Sequence, residues 1–185
     1  MATPVLTGAR AKVRTPQLRL FVALWPDAAL QQALHALGAP HASLGRRIAA
    51  RNLHVTLAFL GGVDAGRVDE LAALMRQARP PRCEFVLDRL GYFAQSRVMW
   101  TGASEVPAAL VDYQARLTSA LGAAGFRVEK RAFRLHVSLL RDAAKPAGTL
   151  RMEPLRWTAR DVALVQSELA PGGSRYKVIR QVPAS

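Results

Sequence analysis

A histidine followed two residues later by a hydroxyl, inside an apolar strand-forming run, occurs twice in this chain. The first copy is Arg51-Asn52-Leu53-His54-Val55-Thr56-Leu57-Ala58-Phe59-Leu60-Gly61. The second is Arg134-Leu135-His136-Val137-Ser138-Leu139-Leu140-Arg141. The two histidines stand 82 positions apart (136 − 54). Val55, Leu57, Phe59 and Leu60 favour strands. Side chains alternate along a strand, so His54 and Thr56 share a face, roughly 7 Å apart. Val55, Leu57 and Phe59 then take the opposite face, where they can be buried. The same alternation pairs His136 with Ser138 and sets Val137 and Leu139 behind them. A fold for this chain must bury one face of each strand and leave an imidazole beside a hydroxyl on the other.

Imidazole titrates near neutral pH, with a reference pKa of about 6.5. Two imidazoles facing one site divide the work: one takes a proton from an attacking oxygen and the other protonates a leaving oxygen. Hydroxyls and a guanidinium can hold a phosphate oxyanion. Such a set needs neither a metal nor a covalent nucleophile, and it suits displacement at a phosphodiester. One histidine in a strand is commonly structural. Core packing gives no reason to repeat His plus hydroxyl in the same register, in a chain with four histidines.

A length of 185 residues suits one domain, and 50% hydrophobic residues suffice for a sizeable core. The net charge of +13 comes mostly from 22 Arg against four Lys, which points to nucleic acid or another polyanion as partner. A single cysteine, Cys83, excludes an internal disulfide and a cysteine-based zinc site. No apolar run approaches the roughly 20 residues of a membrane span, and no signal-peptide core precedes the first strand, so the expected place is the cytoplasm.

Residues 1–16, with Arg10, Lys12 and Arg14, read as a loose basic leader, and 17–185 as a single bilobal domain. Gln17 to Trp25 reads as a strand. Pro26-Asp27 opens a helix with Leu30, Leu34 and Leu37 as its stripe, ended by Gly38 and Pro40. His35 and His41 are expected at the surface. Gly61-Gly62 should close the first His strand. A helix follows from Asp64 to Ala78, then strands over Arg82–Leu90 and Arg97–Thr101 with Gly91-Tyr92-Phe93 in the connection. Pro107 starts a long helix to about Ala124, with Leu110, Tyr113, Leu117 and Leu121 inward. Phe126 to Lys130 reads as a short strand. Leu155 to Leu169 reads as a broken strand and Arg175 to Val182 as the last, joined by Pro171-Gly172-Gly173-Ser174. The pattern is α+β with mainly antiparallel sheet.

These features resemble the two-histidine (2H) phosphoesterases, specifically the RNA 2′,3′-cyclic phosphodiesterases of the LigT type. The family's paired His-x-[Thr/Ser]-x stretches are met by His54-Val55-Thr56-Leu57 and His136-Val137-Ser138-Leu139. Further similarity lies in Arg19–Leu24, in Gly91-Tyr92-Phe93 with Arg97–Trp100, and in Phe133–Arg141. The resemblance spans about residues 17 to 182. It implies a bilobal 2H fold: two mainly antiparallel sheets around a central cleft, with helices outside. It implies hydrolysis of an RNA 2′,3′-cyclic phosphate to a 2′-phosphomonoester, with no cofactor and no metal, and a reverse 2′–5′ RNA ligation.

Carried onto this chain, the resemblance makes His54 the proton donor and His136 the proton acceptor, although the residues themselves do not choose between this and the reverse. Thr56, Ser138 and Arg141 would hold the phosphate. Alternation alone puts Arg141 on the wrong face, so the strand must end or bulge near Leu140. Phe59, Tyr92 and Phe93 are candidates for stacking on a base or walling the cleft. Serine at 138 replaces the more frequent threonine, and Leu135 stands where proline is common; neither removes a reacting group. The partner is RNA with a 2′,3′-cyclic phosphate end, the protein a monomer without a membrane segment. Two alternatives stay open: a 2H phosphodiesterase for a small cyclic or 2′–5′-linked nucleotide, and a non-catalytic RNA-binding protein.

Overall fold

A computed structural model describes residues 15–129, 131–171 and 173–184. Among the described residues, ten strands and three α-helices follow one another: β1 Gln17–Leu24, α1 Ala28–Leu37, β2 Arg46–Arg47, β3 Val55–Asp64, α2 Val68–Gln77, β4 Cys83–Leu87, β5 Arg89–Phe93, β6 Val98–Gly102, α3 Ala108–Ala123, β7 His136–Arg141, β8 Leu155–Ala159, β9 Asp161–Ala170 and β10 Gly173–Pro183.

Eight strands form one antiparallel sheet in the order β10-β9-β1-β3-β7-β6-β5, with β2 alongside β7. It is two half-sheets more than one. β1 pairs with β3 from Gln17–Asp64 to Leu24–Val55, whereas β3 and β7 meet only at Val55–Val137. The two lobes expected from the sequence are therefore β10-β9-β1-β3 and β7-β6-β5 with β2, joined at one rung. β4 and β8 make a separate two-stranded antiparallel ribbon.

One face of the sheet is covered by helices: α3 against β3, α2 against α3 and β10, and α1 against β7. Their apolar stripes explain this. Leu110, Tyr113, Leu117 and Leu121 recur at helical spacing and are fully buried. Leu71 and Met75 of α2 and Leu34 of α1 join the same core, which continues through Val55 and Val137 on the two His strands. Asp27 caps α1 by accepting from the Leu30 backbone N–H at 2.8 Å. No helix among the described residues is long and apolar enough to cross a membrane.

Several sequence expectations need correction. β3 does not stop at Gly61-Gly62 but runs to Asp64, because Gly61 takes a left-handed φ of 70° and lets the strand continue past an irregular register. Tyr92 and Phe93 lie inside β5 rather than in a loop. The hairpin extends that far because Gly91 leaves a slot for the Trp100 ring; a Cβ on Gly91 would stand 2.2 Å from it. Phe126 to Glu129 is not a strand, and Lys130 lies outside the described residues. Phe126 instead plugs the end of α3, with the Arg67 guanidinium over its ring at 3.7 Å. The broken late strand is β8 and β9, interrupted at Arg160. The proposed leader falls almost wholly outside the described residues. Its last two members are held: the Thr15 hydroxyl bonds Asp64, and the Pro16 carbonyl accepts from Ala65 at 2.9 Å.

Candidate active site

His54 sits just before β3, after the 3-10 turn Ala50–Asn52. Its Nδ1 lies 2.7 Å from the Asn52 carbonyl. A carbonyl only accepts, so Nδ1 carries the proton and Nε2 keeps its lone pair in the neutral ring. The Thr56 hydroxyl donates to that Nε2 at 3.0 Å. His136 repeats the arrangement, with Nδ1 donating to the Arg134 carbonyl at 2.7 Å. In both copies the carbonyl two residues back fixes the tautomer and leaves Nε2 for the cleft.

The single rung between β3 and β7 brings the copies together. Val55 and Val137 face the core. Stepping out by one residue along an antiparallel register sets His54 beside Ser138 and Thr56 beside His136. The four polar side chains thus lie on the opposite face from the valines, each imidazole next to the other copy's hydroxyl.

Both His strands also bulge at the third residue after the histidine. Opposite β1, Ala23 pairs with Thr56 and Val22 with Ala58, so Leu57 is skipped. Opposite β6, Trp100 pairs with Ser138 and Met99 with Leu140, so Leu139 is skipped. Each bulge inverts the alternation beyond it. Leu139 and Leu140 are accordingly both buried, and Arg141 emerges on the side of His136. This is the irregularity that the reading of Arg141 required. In β3 the same device turns Phe59 to the cleft, away from the Val55 and Leu57 face on which strict alternation had put it.

His54, Thr56, Phe59, His136, Ser138 and Arg141 all line one cavity of about 670 Å³. Tyr92 and Phe93 do not. The Tyr92 hydroxyl donates to the Ala143 carbonyl at 2.9 Å. Phe93 stacks on Trp100 and turns its edge to His136, with ring centroids 5.1 Å apart in each case. Their place is behind His136, because β5 lies outside β6 at the sheet edge. His35, expected at the surface, is half-buried and contacts the Arg47 guanidinium through Nδ1 at 3.0 Å.

The aromatic residues around His54 were not singled out in the sequence. Phe21, Trp25 and Tyr176 surround the ring at 4.8, 5.6 and 5.3 Å, with Trp25 stacked and Tyr176 edge-on. A signal was present: in Leu20–Leu24 both faces are apolar, yet one face alone meets the helices. Phe21 and Ala23 form a small second cluster with Ala163 and Val165 on the cleft side.

This enclosure shapes the titration. Loss of hydration lowers the His54 pKa to about 4; the Asn52 carbonyl opposes the shift, and the charges of His136 and Arg141 add to it. His136 is lowered as well, again chiefly by burial, with the Arg134 carbonyl opposing and Arg134 and Arg131 contributing. Both imidazoles are neutral at pH 7 in the free protein.

Known proteins are similar to this chain in sequence and fold. A family model described as the 2′-5′ RNA ligase superfamily matches residues 25–170. An Escherichia coli protein named RNA 2′,3′-cyclic phosphodiesterase is 34% identical over 167 residues, covering 88% of this chain and 94% of that one. A Thermotoga maritima protein of the same name is 29% identical over 143 residues, 71% and 75% of the two chains. The crystal structure of E. coli LigT in apo form superposes with a TM-score of 0.82 at 30% identity, over 92% of this chain and 99% of that one.

Proposed function

Since the chain belongs to the 2′-5′ RNA ligase superfamily, we propose that it hydrolyses RNA 2′,3′-cyclic phosphate ends to 2′-phosphomonoesters. The observation that carries the reading is the pair of carbonyl-oriented imidazoles, each beside a hydroxyl, lining one cavity with Arg141. Cyclic phosphodiesterases among its relatives support it.

Arg141, Thr56 and Ser138 hold the phosphate oxygens, and the guanidinium neutralises charge that grows as a fifth oxygen approaches phosphorus. His136 Nε2 takes a proton from water as the water oxygen bonds to phosphorus. The bond from phosphorus to O3′ breaks, and His54 Nε2 delivers its proton to O3′. A 3′-hydroxyl and a 2′-phosphate remain. With the 5′-hydroxyl of a second RNA in place of water, the same step forms a 2′–5′ linkage. Phe59 offers a ring to the base. The reading carries with it a monomer acting in the cytoplasm, which the single cysteine, a buried free thiol at Cys83, suits.

The deciding experiment is incubation in EDTA with an oligoribonucleotide ending in a 2′,3′-cyclic phosphate. A 2′-phosphate product is expected. A 3′-phosphate would mean that O2′ leaves and that the two histidine roles are exchanged; no hydrolysis would overturn the reading.

The pH profile is a second expected result. The reactive form holds one proton between the two rings. Lowered imidazole pKa values mean that the singly protonated pair is most populated between the His54 step at about 4 and the His136 step, which lies below 6.5; the proton rests mainly on His136 there, and the tautomer with it on His54 keeps a constant share across the window. kcat/KM should therefore be greatest in that acidic window and fall about tenfold per pH unit above it. The bound phosphate anion favours the imidazolium, so the kcat profile should lie at higher pH. A kcat/KM that stays level through the neutral and alkaline range would show that no imidazolium takes part.

A further inference from the structure

The cavity holds more positive charge than one cyclic phosphate can use. Arg19, Arg46, Arg47, Arg51, Arg141 and Arg175 line it, with no carboxylate side chain in its walls among the described residues. Four of these have assigned work. Arg141 meets the reacting phosphate, Arg46 pairs with Asp142 at 3.2 Å, Arg47 donates to the His35 carbonyl at 2.7 Å, and Arg19 lies over the Phe59 ring at 5.1 Å. Arg51 and Arg175 remain. Among the described residues, neither side chain enters an ion pair or hydrogen bond. Glu168 stands opposite Arg175 across the β9–β10 ladder without forming an ion pair to it.

The two are held together although 124 positions separate them (175 − 51). Asn52, next to Arg51, donates through Nδ2 to the carbonyl of Ser174, next to Arg175, at 2.8 Å. This bond clamps the turn before His54 to the start of β10. The other amide atom, Asn52 Oδ1, is buried without a partner in the wall of the cavity. The clamp sets two exposed, unpaired guanidiniums on neighbouring segments of one cavity wall, where an anion can meet both.

We infer that Arg51, Arg175 and Asn52 form a second phosphate subsite, which takes an internucleotide phosphate of the RNA strand upstream of its cyclic end. The guanidiniums bind the phosphate oxygens, and the Asn52–Ser174 bond holds together the two segments that carry them. The substrate is then an oligonucleotide rather than a mononucleotide. This deepens the reading under Proposed function and rests on it.

The test compares the protein with its R51Q/R175Q variant on two substrates: a nucleoside 2′,3′-cyclic phosphate, and a trinucleotide with the same end. The unaltered protein should favour the trinucleotide at least about tenfold in kcat/KM, and the variant should lose most of that advantage. Its salt dependence on the trinucleotide should become shallower by about 0.7 in log–log slope for each phosphate released. No preference in the unaltered protein, or an equal loss on both substrates, would overturn the inference. Should neither substrate turn over, the functional reading fails by itself. Fluorescence anisotropy with a trinucleotide ending in a 2′-phosphate then reads the subsite directly: weaker binding by the variant supports it, and equal binding removes it.

Discussion

Replacing either His54 or His136 by Ala is expected to remove nearly all hydrolysis while the fold persists. One general acid or base contributes typically about 10²- to 10⁴-fold. In the proposed mechanism each imidazole is the ionisable group at its end of the reaction, so each single variant should lose at least that factor in kcat. The double variant should lose little more than the worse single one, because groups acting as a unit are not additive. Persistence of the fold follows from placement. Both rings lie on the cleft face of their strands, while Val55 and Val137 supply the fully buried contacts. The carbonyls of Asn52 and Arg134, released from the rings, can turn to water. Single-turnover kinetics beside a thermal melt would check both halves of the expectation. Either variant keeping most of its turnover would refute the two-imidazole mechanism.

Arg141→Ala is expected to lower kcat/KM by about 10²- to 10³-fold, the range for removing one donor aimed at developing oxyanion charge. Arg141→Lys should recover part of this and no more, because an ammonium cannot make the parallel two-point contact of a guanidinium. The effect should appear in kcat as well as KM if the contact strengthens as charge builds on phosphorus. Arg141 is exposed and buries no apolar surface of consequence, so stability should change little. A kcat/KM within threefold of the original, measured on the cyclic-phosphate oligonucleotide, would show that Arg141 points at the cavity without serving it.

Much of the centre was legible because it obeys the simplest rule of a strand. His54 with Thr56, and His136 with Ser138, follow from period two alone. The helix stripe Leu110, Tyr113, Leu117 and Leu121 follows as directly from the helical period. The bulges at Leu57 and Leu139 are different. Neither residue type marks a bulge, and only the position demanded of Arg141 betrayed one of them. Strict alternation accordingly put Phe59 on the wrong face, whereas its resemblance-based reading as a cleft residue agrees with its place on the cavity wall. The aromatic setting of His54 was hidden for another reason: Trp25 and Tyr176 come from chain segments far apart, and nothing local says that β10 returns to the cleft. Phe126 misled because a short β-prone run looks alike whether it pairs with a strand or plugs a helix end.

The rung at Val55–Val137 bears on motion. The half-sheets on either side of it hold longer ladders, eight paired positions between β1 and β3 on one side and four between β6 and β7 on the other. Across the line between the two His strands there is one. A shear between the lobes disturbs fewer sheet contacts there than anywhere else, so the compliance of the sheet is concentrated where His54 and His136 face each other. Resistance to that shear comes from the shared apolar layer behind, through Val55, Val137 and the side chains packed on them. The gap between the two imidazoles is thus governed by side-chain packing on the far face. Core substitutions that leave every polar residue in place can still retune the spacing of the two imidazoles.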